Sequence, residues 1–353
     1  MEVVMFLISM TVCLFFSQGI TLDVHTDLEL DSGPKPLVRV SADRVYFANA
    51  RDLQLLDLQG NAIAEFSLDQ STLAQIDPNR DFYIMGFTPL GKDYSDMIYL
   101  SIGGYLDGQK VTRGLLLDHK AQEIGLVYDP TLLDPRQVYL RDLYSLGGGS
   151  LVANTYQLGL RRGQHAISLY AIRFVPPEPG EFSDLDGWAP SFKITYDDDQ
   201  PLLRRFFEDD SPMKDYKKVY VDRDPSTGSL MYMFPYEHRV HFLSQEGSAF
   251  KAAGWKDLEL PGFEDTPSDT AIVTIKSEIV GFVAGPSGPM VAYKANEQSM
   301  AVTSQALQGK KANIAHREIE LVPNEYTDFA GVSNQVAYVY KSDGARHWLE
   351  KLE

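Results

Sequence analysis

The chain has 353 residues, 44% hydrophobic and 23% charged, enough apolar material for a sizeable core and unlike the composition of a disordered segment. Its 49 acidic against 32 basic residues leave a formal charge of -17, which opposes sequence-independent attraction to nucleic acid or anionic lipid. The single cysteine, Cys13, excludes an intramolecular disulfide and a thiolate metal cage.

From the N-terminus, residues 3–16 form an apolar run of the length of a signal-peptide hydrophobic region, short for a bilayer span. Ser17-Gln18-Gly19 places small residues at the two positions a signal peptidase inspects, so residues 1–19 read as an export signal. Residues 20–353 then read as a single domain in an extracytoplasmic location, periplasmic or secreted. Met1-Glu2 carries no Lys or Arg, which keeps an uncleaved anchor as the alternative, and Met10-Thr11-Val12 ahead of Cys13 lacks the small residues of a lipobox. With the signal removed the chain has no cysteine and no redox requirement.

Residues 21–30 (TLDVHTDLEL) alternate apolar and polar side chains, the pattern of a strand with one buried face. From residue 37 onward, short β-rich runs are separated by Gly, Asp, Asn and Pro. Runs at 37–40, 45–49, 53–58 and 63–68 form one antiparallel meander, and a second falls at 82–87, 97–105, 113–118 and 123–128. The third set is 138–146, 151–158, 166–174 and 192–196, the fourth 217–222, 230–236, 240–244 and 255–260, and the fifth lies within 270–319. The last set, 329–332, 336–340 and 346–352, is one strand short, and residues 21–30 are expected to supply it beside 346–352. The predicted fold is therefore an all-β propeller of six four-stranded antiparallel blades closed by an N-terminal strand, which leaves no exposed sheet edge. At about 55 residues per blade against ~40–50 in compact repeats, loops absorb the surplus. Residues 176–190, rich in Pro and Gly around Trp188, and the acidic stretch 197–212 are the expected long loops.

The run 44–68, RVYFANARDLQLLDLQGNAIAEFSL, resembles one blade of the bacterial six-bladed β-propellers of the NHL-like and TolB-like superfamily. The telling part is a strand ending in Ala48-Asn49, a strand ending Leu56-Asp57-Leu58, then Gln59-Gly60 and an outer strand. Fainter copies are residues 336–340 followed by Asp343-Gly344, and Asp224-Pro225-Ser226-Thr227-Gly228 before Leu230-Met231-Tyr232. The third and fifth sets lack the signature, so six and seven blades both stay open. The resemblance implies geometry first. Because some such propellers hold a divalent ion in their channel through Asp, Glu and Asn, it also implies a calcium-dependent hydrolase or lactonase as a second functional reading, with no ligand residue assigned here.

Catalytic motifs are missing. There is no Gly-x-Ser-x-Gly elbow, and Gly147-Gly148-Gly149-Ser150, between two predicted strands, reads as a turn. His238 and His241 lie three apart on a strand and face opposite sides, so they cannot share an ion without a bulge. Asp222 and Asp224, two apart ahead of Gly228, loosely match a calcium loop, although hairpin-turn chemistry explains the same residues. Calcium at these two is the metal reading carried, and no other cofactor is expected. The loops joining second to third strands, with the connections between blades, form the rim of a propeller. Asn49, Arg51, Asn154, Tyr156, Tyr236, His238 and Asn296 fall toward it and are the candidate binding residues, with the ordinary surface as the plain alternative. The expected function is non-enzymatic binding of a ligand or an envelope protein on that rim, by a monomer with no nucleic-acid partner and no membrane domain once the signal is removed.

Overall fold

The computed structural model describes residues 19–24, 35–76, 82–106, 109–128, 138–158, 164–176, 192–197, 200–208, 218–224, 227–246, 249–265, 276–285, 288–305 and 316–352. The expected signal segment and most of the expected loop at 176–190 lie outside these residues. Among those described, the strands fall into six successive units, five of four strands and the third of five, and the first strand of every unit lines one central cavity. The all-β propeller is the observed architecture.

The first blade is Leu37–Ser41, Arg44–Ala48, Asp52–Asp57 and Ala62–Ser67, and the second Tyr83–Pro89, Ile98–Leu106, Gln109–Leu117 and Glu123–Tyr128. The third blade begins with Val138–Gly147, Ser150–Leu158 and the 12-residue strand Gln164–Val175. That long strand takes two outer partners: Phe192–Tyr196 pairs with its C-terminal part and Leu203–Glu208 with its N-terminal part. The acidic composition of 197–212 predicts a loop throughout, and the structure places a strand within it. The correction follows from the length of the third strand, whose free edge would otherwise leave backbone groups unpaired. The LRRFFE run fits that edge, with Phe207 buried and Phe206 turned out.

The fourth blade is Tyr220–Arg223, Leu230–Met233, Arg239–Glu246 and Ala249–Asp257. Its outer strand precedes the expected 255–260. Residues 251–257 are all exposed, whereas Leu258 and Leu260 are buried just beyond the strand, so an apolar count locates the anchor and misses the ladder. The fifth blade is Glu278–Gly285, Gly288–Lys294, Ser299–Ser304 and Arg317–Glu320, and the sixth opens with Tyr326–Ser333, Val336–Ser342 and His347–Leu352.

The ring closes in two places. On the outside, Ile20–Thr21 pairs antiparallel with the last strand, Ile20 opposite Leu349 and Thr21 opposite Trp348. Leu22 N–H then donates to His347 O and Asp23 N–H to Gly60 O, so the segment lies across the outer turn of the first blade as well. Gly60 has φ +90° and a Cβ there would sit 2.1 Å from Thr21 O, a contact that only glycine permits. On the inside, Val40 pairs in parallel with Gly331. The expected closing strand is thus present, shorter than the ten residues anticipated, and residues 25–30 lie outside the described set.

Period-two alternation sends successive side chains to opposite faces, and each face packs on a different neighbouring blade. Leu230 and Tyr232 join a cluster with the third blade, while Met231 and Met233 join one with the fifth. Six such apolar clusters fill the six boundaries between blades, the last of them joining the sixth blade to the first and enclosing Leu22. No helix among the described residues is long and apolar enough to cross a membrane.

Candidate functional site

The first strands of all six blades enclose a cavity of about 370 Å³. Their register there is irregular. Shifts occur between Ile84 and Gly86, Leu140 and Asp142, Ile279 and Gly281, and Phe329 and Gly331, one in each of the second, third, fifth and sixth blades. A bulge places two residues opposite one and re-aims side chains. It is why neighbours such as Arg141 and Asp142 both reach the cavity wall, where strict alternation would send one of them away.

The wall is polar and charged. Arg39, Arg141 and Lys218 line it together with Asp142, Asp222 and Asp328. Burial, followed by the nearby guanidinium of Arg39, holds the Lys218 amine below the usual lysine range, with Arg141 adding to the effect and Asp328 and Asp142 opposing it. Its ammonium lies over the Tyr220 ring, 4.5 Å from the centroid. Asp222 is pushed up to about 6 by burial, against two backbone donors, Ala284 N–H and Arg223 N–H, each 2.8 Å from a carboxylate oxygen. Burial likewise raises Glu278, at the start of the fifth blade, and raises the Tyr144, Tyr220 and Tyr326 hydroxyls.

Those hydroxyls act as rivets. Tyr144 O–H donates to Val219 O at 2.5 Å and Tyr220 O–H to Ile279 O at 3.1 Å, each tying one blade to the next. Tyr326 O–H donates to Asp328 Oδ2 at 3.1 Å, and Phe329 N–H reaches the other oxygen at 2.8 Å. Thr88 lines the same cavity, buried, with no partner for its hydroxyl among the described residues.

Of the residues singled out from sequence, Asn49, Arg51, Tyr236, His238 and Asn296 lie between second and third strands, as expected, and none of them lines the cavity. Asn49 Oδ1 accepts from the backbone of Arg51 and Asp52 at 2.7 Å, and Asn296 Oδ1 accepts from Gln298 and Ser299, so both shape turns between second and third strands. Arg51 meets Asp69 at 3.3 Å, and His238 Nδ1 meets Asp265 at 2.7 Å. Asn154 and Tyr156 are not at a loop end; both are buried within Ser150–Leu158. Tyr156 stacks on His165 with its hydroxyl 2.8 Å from Nδ1, and it shares one apolar cluster with Tyr236. Of the two aspartates, Asp222 faces the cavity while Asp224 holds Thr227 in the hairpin turn, its Oδ2 2.9 Å from the Thr227 hydroxyl. They are committed to different partners, and no group of three metal-ligating side chains is found among the described residues.

Channel residues were missed because nothing marks them locally. Arg39, Thr88, Lys218 and Asp328 come from four separate blades, and only the order of the blades brings them together. The available signal was positional: a charged residue in the first strand of a repeat.

No protein-family model matches the chain, and no curated protein matches its sequence. Solved structures similar in fold include a luciferin-regenerating enzyme, 10% identical, with 95% of this chain and 92% of that one covered at a TM-score of 0.46. The soluble aldose sugar dehydrogenase of Escherichia coli is 12% identical over 90% of this chain and 96% of its own, at 0.44. An auxiliary nutrient binding protein of Bacteroides thetaiotaomicron is 8% identical over 91% and 70%, at 0.41.

Proposed function

We propose that this chain is an extracytoplasmic, non-enzymatic propeller that binds a small polar ligand in its central channel, within the bacterial six-bladed group its first blade resembles. The observation that supports this most is the cavity itself, whose wall is shared by all six first strands and set with charged side chains. A cavity of that volume falls at the lower end of small-molecule sites. The rim remains the reading for a protein partner. Residues 1–19 act as the export signal in this reading, so the mature chain begins near Ile20 or Thr21, which N-terminal sequencing of the exported protein checks.

Thermal-shift measurement against a panel of small metabolites tests the channel reading. A ligand should raise the melting temperature of the wild type in proportion to the logarithm of its concentration once in excess. The same ligand should leave unchanged a variant whose channel is filled by Val283→Trp. A ligand that stabilises both equally binds elsewhere and overturns the assignment.

The second reading, a calcium-dependent hydrolase or lactonase, draws on Asp142, Asp222 and Asp328, three carboxylates around one cavity. Two of them already accept hydrogen bonds through both oxygens. Calorimetric titration with calcium is expected to give no heat, and excess calcium no change in melting temperature; a saturable signal would move the assignment to this second reading.

A further inference from the structure

We propose that the channel recognises the oxyanion group, carboxylate or phosphate, of a small molecule, held between Lys218 and Arg39. This rests on the channel-binding reading and specifies the chemistry of its ligand.

Two cations of the cavity have no counter-charge in direct contact among the described residues. Lys218 stands at the entry to the first strand of the fourth blade and Arg39 within the first strand of the first blade, and both line the cavity. Among the described residues, neither cation makes a hydrogen bond or an ion pair within 4 Å. Each instead lies against an aromatic ring, Lys218 over Tyr220 and Arg39 5.6 Å from the Phe87 centroid. Unpaired charge away from bulk water is costly, and two like charges facing one cavity add repulsion to that cost.

The acids of the cavity do not neutralise this pair. Asp222 spends its oxygens on Ala284 N–H and Arg223 N–H, and Asp328 spends its own on Phe329 N–H and Tyr326 O–H. Asp142 lies beside Arg141, 3.7 Å away. Glu278, on the fifth blade and outside the cavity lining, feels the charge of Lys294 before that of Lys218. Asp222 and Asp328 are therefore engaged by donors of their own and Asp142 by Arg141, so that none of the three touches Lys218 or Arg39 directly.

Thr88 supplies the independent observation. Its side chain is buried at 5% exposure, lines the same cavity and has no partner for its hydroxyl among the described residues. A buried hydroxyl left unpaired is the exception in folded proteins, and a ligand or ordered water is its ordinary explanation. An oxyanion accepts from Lys218, from the fork of Arg39 and from such a hydroxyl at once, and charge-assisted bonds of this kind are the strong ones.

The test uses the full mature chain and four probes at equal ionic strength: succinate, inorganic phosphate, glucose and putrescine. Isothermal titration should show saturable binding of succinate or phosphate. Lys218→Met and Arg39→Gln should each weaken it by about tenfold or more, the loss of one charge-assisted bond. Without any probe, Lys218→Met should melt at or above the wild-type temperature, because it deletes an unpaired charge and keeps the apolar stem. If either anion binds both variants as tightly as wild type, the assignment of the two cations fails. If glucose or putrescine binds in the channel and neither anion does, the channel-binding reading stands and the oxyanion proposal falls. If Lys218→Met melts far below wild type without a probe, Lys218 is a structural cation and the proposal is overturned, with Arg39→Gln as the folded variant that checks this.

Discussion

Asp222 shows how a single residue carries both fold and site. Its carboxylate receives the backbone N–H of Ala284 from the neighbouring blade, yet burial outweighs that bond and lifts it to about 6 from 3.8. Because the folded state holds the proton more tightly than the unfolded one, the contribution of Asp222 is most favourable below about pH 4 and is lost as pH rises through about 6. The difference corresponds to about 3 kcal/mol at neutral pH. Asp222→Asn cannot ionise, so the stability difference between wild type and variant in urea melts should change by about that amount between pH 4 and pH 7. A difference that stays constant across this range would show that the carboxylate is not buried as described. Lys218 runs in the opposite sense: its amine, held below the usual range, leaves a larger neutral fraction at a given pH than a surface lysine has.

At the level of the element, the segment Ile20–Thr21 and the residues after it do more than their length suggests. Leu22 is buried at 4% in the cluster between the last and first blades, with Val24 packed at its margin. Leu22→Ala should cost about 2 kcal/mol, the low end for a buried leucine because an outer strand relaxes more easily than a centre. Deleting residues 19–24 removes that burial and uncovers the edge of His347–Leu352, so the melting temperature should drop sharply or the protein should associate through the bare edge. A truncated protein melting within a degree or two of the mature chain would mean that the ring does not depend on this clasp. Gly331 is the matching point inside the ring. Its φ of +125° and a Cβ position 2.6 Å from Val40 O mean that Gly331→Ala must push the first and sixth inner strands apart. The cost should exceed the ~1 kcal/mol typical of a tolerated glycine change, and it should be smaller at Gly148, where nothing stands near the Cβ position.

Across the whole molecule, a charge of -17 surrounds a channel that holds three cations at its wall. Self-repulsion of the outer charges weakens the compact state, so raising salt from about 0.01 M to about 0.15 M should raise the melting temperature, and phosphocellulose should not retain the protein. A melting temperature that falls over the same range would show that attractive surface pairs outweigh the repulsion.

The sequence by itself determined the period-two runs and their turns, and with them the blades. Asp57 capping Gln59 and Asn61 at Gly60, and the Asp224 turn closing at Gly228, are local chemistry, legible because a turn is decided by the residues within it. The missing last strand and the alternating stretch after residue 20 pointed to closure for the same reason, since a count of strands needs no coordinates. The split outer edge of the third blade was not legible. Whether Leu203–Glu208 is strand or loop depends on how much of Gln164–Val175 another strand has left unpaired. Apart from Asp222, the candidate site belonged to tertiary structure. Asn49 and Asn296 stood out because loop polar residues look available, yet their side chains are spent on their own turns. Arg39, Thr88, Lys218 and Asp328 looked ordinary because each is one polar residue in a short strand. Ring closure sets them around one cavity, and the bulges at Gly86, Asp142, Gly281 and Gly331 tilt the inner strands against the alternation that a sequence displays. Local pattern fixes which residues form a strand; only the curvature and closure of the sheets decide which of them share a space.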